Sequence, residues 1–293
     1  MAASSTRGPL DPAPYDREAA LAARWRRLRE GVPPALFLLA CAVVLAAALV
    51  GVGWLLAKVL SHDAVGRGDV DVSQWLATER SPGLNDVTAV TSEIGGTLTI
   101  TILAVLSVAV AAFVWRRWRE PMLVAVAVAG EVAIFLVVTM LVDRKRPPVP
   151  HLDEAPPTSS FPSGHTAATI ALWGALAVLA SERARSALVR GLFLALAVVL
   201  PVLVASSRMY RGMHFLSDVL GGVLLGGLWL LATVRGIRLG VAHRELRHGD
   251  DGFDGGRWLD EKPAWEAQIG EGGTSPVVTD GRLYPPFELL HRR

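Results

Sequence analysis

Apolar residues fall into long unbroken blocks rather than an alternating or face-by-face pattern, and short polar segments separate them. Six blocks approach the ~20 residues that a helix needs to cross ~30 Å of hydrocarbon. They run roughly over Pro33–Leu60, Ile94–Trp115, Met122–Val142, His165–Ala180, Leu188–Ala205 and His214–Val234. The pattern predicts an all-α, polytopic membrane protein with six transmembrane helices. A short surface helix is expected near Val72–Glu79, with Trp75 and Leu76 at the lipid boundary. Three regions follow: a tail over 1–32, a membrane domain over 33–235 and a glycine- and acid-rich tail over 236–293, expected to be largely disordered.

Composition agrees with that reading. The chain has 293 residues, 52% of them hydrophobic, and its mean hydropathy is +0.39. Net charge is only +2, so a nucleic-acid-binding stripe is excluded and the bilayer is the expected partner. The one cysteine, Cys41, has no partner within the chain for a disulfide or a cysteine metal site.

Arginine placement sets the expected topology. Arg24, Arg26, Arg27 and Arg29, then Arg116, Arg117 and Arg119, then Arg183, Arg185 and Arg190, then Arg235, Arg238, Arg244 and Arg247 all fall on one side of six spans. The positive-inside tendency makes that side cytoplasmic, with both termini on it. Two segments on the opposite side are also basic: Arg144, Lys145 and Arg146 in one, Arg208 and Arg211 in the other. Positive charge there points to an anionic ligand.

The candidate chemistry sits in the same outer segments. His214 and Asp218 are four residues apart, so a helix would put them on one face, with the carboxylate fixing the imidazole tautomer of a nucleophile. Arg208 precedes them on the expected connecting loop. Pro162-Ser163-Gly164-His165 opens a helix, whose N-terminal N–H groups attract phosphate, and His165 can protonate a leaving oxygen. Arg144 or Arg146 can grip phosphate oxygens with a planar fork. Glu131, midway along the third span, is expected to hydrogen-bond between helices, and His151, Asp153 and Glu154 to lie in a solvated loop.

These stretches resemble the three-part signature of the type 2 phosphatidic acid phosphatases (PAP2): Lys-x6-Arg-Pro, Pro-Ser-Gly-His and Ser-Arg-x5-His-x3-Asp. The second and third are complete here, the third as Ser207-Arg208, His214 and Asp218. The first keeps Arg146-Pro147 but holds Thr139 at the lysine position; Arg144 and Lys145 are the nearby cations, and Lys145 does not sit at the lysine spacing. The resemblance covers about Pro33 to Arg235 and implies a PAP2/haloperoxidase-like helical core. It implies that His214 attacks phosphorus to form a phosphohistidine, that Asp218 orients it and that His165 protonates the leaving alcohol. Arg146, Arg208, Ser163 and the Gly164 backbone would hold the phosphoryl oxygens, and no metal or other cofactor would take part. The substrate implied is a lipid phosphate or pyrophosphate, met at the outer membrane face. Phosphotransfer to an acceptor lipid, and non-catalytic lipid binding or transport, are the alternatives. The sequence carries no signal for an oligomeric state.

Overall fold

A computed structural model describes residues 33–251 and two short strands, β1 (Val277–Thr279) and β2 (Arg282–Tyr284). The expected tail over 1–32 and the greater part of the expected C-terminal tail lie outside the described residues. The chain divides into two compact units at His243–Arg244. In the second unit the strands pair antiparallel, with Val278 opposite Leu283.

The first unit is built from helices. α1 (Pro34–Trp54) continues through a widened turn over Leu55–Val59 and a tight one over Leu60–His62. α2 (Ala64–Thr78) and α3 (Pro82–Ile94) follow on the surface, then α4 (Thr97–Trp115), α5 (Arg119–Leu141), α6 (Gly164–Arg183), α7 (Ala187–Tyr210) and α8 (Leu216–Asp251). Six of these segments are long and apolar enough to cross a membrane: Pro34–His62, Thr97–Trp115, Arg119–Leu141, Gly164–Arg183, Ala187–Tyr210 and Leu216–Val241. The protein is therefore a multi-pass helical membrane protein, as the apolar blocks indicate.

Two boundaries differ from the sequence expectation in ways that matter. The one expected surface helix is two, divided by a turn in which Ser81 caps α3 by accepting the Leu84 N–H at 3.4 Å, with Pro82 in the first helical position. The sixth span starts after His214, because the preceding turn is bent at Gly212, whose φ of +76° favours glycine. His214 thus lies on a loop, and Arg208, expected on a loop, lies in the last turn of α7.

α5, α6 and α8 form the centre. One apolar cluster joins Leu49 of α1, Ile134 and Val138 of α5, Ala167 of α6 and Leu225 and Trp229 of α8. A second joins Ile100 of α4, Val124 of α5, Leu172 of α6 and Ile237 of α8. Outward faces stay apolar, Phe113 being 84% exposed, as a lipid-facing wall requires. Glycines set the closest approach. A Cβ at Gly222 would lie 2.5 Å from the Ser163 carbonyl oxygen, and one at Gly226 would lie 2.6 Å from that of Ala167. Small residues therefore let α8 press on the first turns of α6, which brings the loop carrying His214 beside Ser163-Gly164-His165.

Candidate active site

The loop between α5 and α6 is stapled down before any side chain in it can act. Ser160 N–H donates to the Arg144 carbonyl at 2.9 Å, and Ser160 Oγ donates to that of Lys145 at 3.0 Å. Ser163 N–H donates to the backbone carbonyl of Asp218 at 2.9 Å, tying the start of α6 to the first turn of α8.

His214 is buried on this platform. Its Nδ1 lies 2.7 Å from the Ser160 carbonyl oxygen, which can only accept, so Nδ1 carries the proton and Nε2 keeps its lone pair. The expected carboxylate partner stands further off. Asp218 Oδ2 is 3.8 Å from Nδ1, an electrostatic contact rather than a hydrogen bond. The reason is local: Asp218 occupies the third position of α8 and accepts the Phe215 N–H at 2.9 Å, as a helix-start carboxylate does. The sequence expectation is therefore corrected; a backbone carbonyl fixes the tautomer, and Asp218 supplies charge and anchors the helix start. Burial pushes the His214 imidazole below its ordinary range, with Asp218 pulling it up and Arg208 and Arg146 pushing it down.

Both histidines line one cavity of about 330 Å³. Arg146, Arg208 and Gly164 line it too, and its deeper wall carries Ile100, Val128 and Val132 together with Glu131. Gly164 is needed for space: a Cβ there would lie 2.8 Å from the Phe135 ring. No side chain caps α6, so the first N–H groups of that helix face outward without an intrahelical acceptor. Arg146 donates to the Met213 carbonyl at 2.7 Å. Arg208 donates to Ser92 Oγ at 2.9 Å and to Asp153 at 2.8 Å. Each arginine keeps a buried Nε–H with no partner among the described residues. Burial lowers Arg146 from the ordinary guanidinium range, with Asp218 opposing.

Two expected phosphate contacts, Arg144 and Ser163, stand outside the histidine cavity, as does Arg211 of the second basic segment. Arg144 does not line the histidine cavity; it pairs with Asp218, pairs with Asp69 at 2.8 Å, donates to Ser217 Oγ at 2.8 Å and lies over the Phe215 ring. Ser163 Oγ sits 3.0 Å from Thr166 Oγ1, and Ser163 does not line that cavity either. Arg211 is spent on Asp153, on the Asn85 carbonyl at 3.0 Å and on that of Leu152 at 3.1 Å. Thr139 donates to its own helix at Leu136 and also stays out of the histidine cavity.

Other residues were missed or misjudged. Asp69 on α2 accepts from Arg144 and from both the N–H and the hydroxyl of Ser217, so it holds the start of α8. Asp153 is no solvated loop residue. Burial pushes its carboxyl up, but the Arg211 hydrogen bond and the charges of Arg208 and Arg211 outweigh that and hold it below the usual range. Glu131 makes no hydrogen bond between helices among the described residues; both its oxygens are buried without a partner, in the wall of the histidine cavity.

Comparison with known proteins follows the same residues. The model of the PAP2 superfamily matches residues 120–239. Phosphatidylglycerophosphatase B of Bacillus subtilis (strain 168) is 29% identical over 184 residues, which are 62% of this chain and 89% of that protein. Human sphingosine-1-phosphate phosphatase 2 is 41% identical over 73 residues, 25% of this chain and only 18% of that protein. The crystal structure of a transmembrane PAP2-type phosphatidylglycerolphosphate phosphatase from Bacillus subtilis aligns with a TM-score of 0.56 at 26% identity, over 68% of this chain and 93% of that one. Matched over the stretch that carries both cavity histidines and both cavity arginines, and alike in fold along nearly the whole of a solved relative, the chain is similar to the PAP2 superfamily over residues 120–239.

Proposed function

We propose that this protein hydrolyses lipid phosphates at the outer face of the membrane through a phosphohistidine, without a metal. The observation that carries the reading is the cavity itself. It joins a histidine with a fixed Nε2 lone pair, a second histidine and two arginines to a slot lined mostly by apolar side chains. The names of the two curated relatives, each a phosphatase of a lipid phosphate, support the same substrate class.

The chemistry follows from the groups. His214 Nε2 attacks phosphorus, forming a P–N bond as the P–O bond to the lipid alcohol breaks. His165 gives its proton to the departing oxygen. Water then attacks phosphorus and yields a proton to His165 while the P–N bond breaks, which releases phosphate and restores His214. Arg146, Arg208 and the free N–H groups of α6 hold the equatorial oxygens as their charge redistributes. Asp218 stabilises the charge that His214 gains on attack, at 3.8 Å. The missing ammonium at Thr139 leaves the two arginines as the charged clamps. The arginine-rich connections at the other end of the bundle support the orientation.

Phosphate release from a panel of lipid phosphates by detergent-purified protein, with chelator present, tests this reading. Release that ignores chelator and vanishes in His214→Ala is expected. A His165→Ala variant slowed in the second step should accumulate acid-labile phosphate on protein. Release that persists in His214→Ala would overturn the mechanism.

A further inference from the structure

Glu131 is 1% exposed, halfway along a membrane-spanning helix, and neither carboxyl oxygen has a partner among the described residues. A carboxyl in that setting needs a partner. Nearby polar groups are already engaged. Thr101, which lines the same cavity, donates to the Thr97 carbonyl at 2.7 Å; Thr169 donates to that of His165 at 2.7 Å; the Trp229 indole donates to Val126 at 3.1 Å. Val128, Val132 and Ala168 in the same wall offer no donor side chain. Glu131 lines the cavity, so a bound molecule there is one source of a donor.

Depth identifies the donor. Phe135 of α5 packs on Gly164 of α6, so those positions are level. Gly164 starts the helix whose N–H groups face the phosphate. Glu131 is one helical turn deeper than Phe135, about 6 Å along the axis. In a phosphorylated lipid alcohol, the substituent on the carbon next to the phosphorylated one lies four bonds from phosphorus. At roughly 1.5 Å per bond along a bent chain, that is about 5 Å away.

Resting on the lipid phosphatase reading above, we infer that Glu131 is a specificity residue that accepts a hydrogen bond from a hydroxyl or amine on the carbon next to the phosphorylated carbon of the leaving alcohol. The substrate class is then a lipid phosphate with a free donor at that carbon, and a fully esterified glycerol phosphate is a poorer one. A site built around a polar group discriminates strongly because the analogue lacking the donor leaves a buried acceptor unpaired.

The test compares a single-chain glycerol phosphate lipid carrying a free central hydroxyl with its analogue lacking only that hydroxyl, using the full chain in detergent. The wild type should favour the hydroxylated lipid by about tenfold or more in kcat/KM. Glu131→Gln, which keeps a carbonyl acceptor, should retain a preference, and Glu131→Leu should bring the ratio close to unity. The same ratio in wild type and Glu131→Leu overturns the inference. Should Glu131→Leu fail to fold, the wild-type ratio decides, and a ratio near unity overturns it. Phosphate release from both lipids with no preference leaves the phosphatase reading standing and removes only the role of Glu131. No release from either removes both.

Discussion

Both ends of the helix bundle carry paired arginines, yet only at one end do arginines line the histidine cavity. At the end away from the histidines, Arg119 and Arg238 both reach Glu182, at 2.9 and 3.3 Å, and Arg183 pairs with Glu120. At the histidine end, Arg144 and Arg211 are likewise absorbed, by Asp69 and Asp218 and by Asp153. Arg146 and Arg208 differ in place: each makes its fixing contacts and lines the histidine cavity, whereas Arg183, which also keeps a buried Nε–H unpartnered among the described residues, lies at the other end. Neither the number of cations nor a donor left over after pairing therefore marks the ligand site; the arginines that line the histidine cavity do. Four arginines at one end separate into two that hold the scaffold and two that can hold a phosphoryl group.

The largest effect that sharpens this division comes from neither kind of arginine. His214→Ala removes the nucleophile and should lower kcat by about 10⁴-fold or more, with the protein still folded by thermal unfolding in detergent. Next, Arg208→Lys or Arg146→Lys keeps the charge but loses the planar fork and should cost about 10²–10³-fold in kcat/KM. Arg144→Leu should act differently. It leaves Asp69 and Asp218 buried without their cation, so about 3–5 kcal/mol of stability is lost, read as a lower unfolding temperature. If Arg208→Lys unfolded the protein while Arg144→Leu left it stable but inactive, the assignment of scaffold and ligand arginines would be reversed.

The membrane layout was legible because α1 and α4 are apolar on nearly every face, as with Phe113, so no amphipathic pattern had to be resolved there. The reacting side chains were legible through spacing: His214, Asp218 and Arg208 lie within one short stretch. What stayed hidden were the partners. Arg144 meets Asp69 across 75 positions. Asp69 and the exposed Asp71 sit in one Gly-Asp-Val-Asp-Val run, where nothing local tells the buried acid from the solvated one. The acceptor that fixes His214 is the Ser160 backbone carbonyl, an atom every residue type carries. Glu131 was visible as an intramembrane acid, but whether a neighbouring helix would answer it depends on packing.

Acidity should expose the burial of His214. Its imidazole is depressed by burial, so the folded state favours the neutral form. Stability from this group is present above the unfolded value near 6.5 and falls as pH drops through the folded value. The nucleophile likewise stays neutral below the ordinary histidine range, and the acid limb of kcat/KM that belongs to it should fall below about pH 6.5. Replacing Ser160 leaves its carbonyl in place, so Ser160→Ala should keep that limb where it is, although it loses the hydroxyl bond to Lys145. A limb above pH 7 in the wild type would mean that the nucleophile is not held in this buried site.

The smallest effect belongs to the other end. Arg119 and Glu182 are 30% and 26% exposed, so water and salt screen their pair. Arg119→Ala should therefore cost about 0.2–1 kcal/mol, a small shift in unfolding temperature that shrinks further in high salt. Its kcat/KM should match the wild type, since the change lies at the end of α5 remote from the histidine cavity. A drop of tenfold would mean that the two ends are coupled through α5, and that the arginines at the far end are not bystanders to the chemistry.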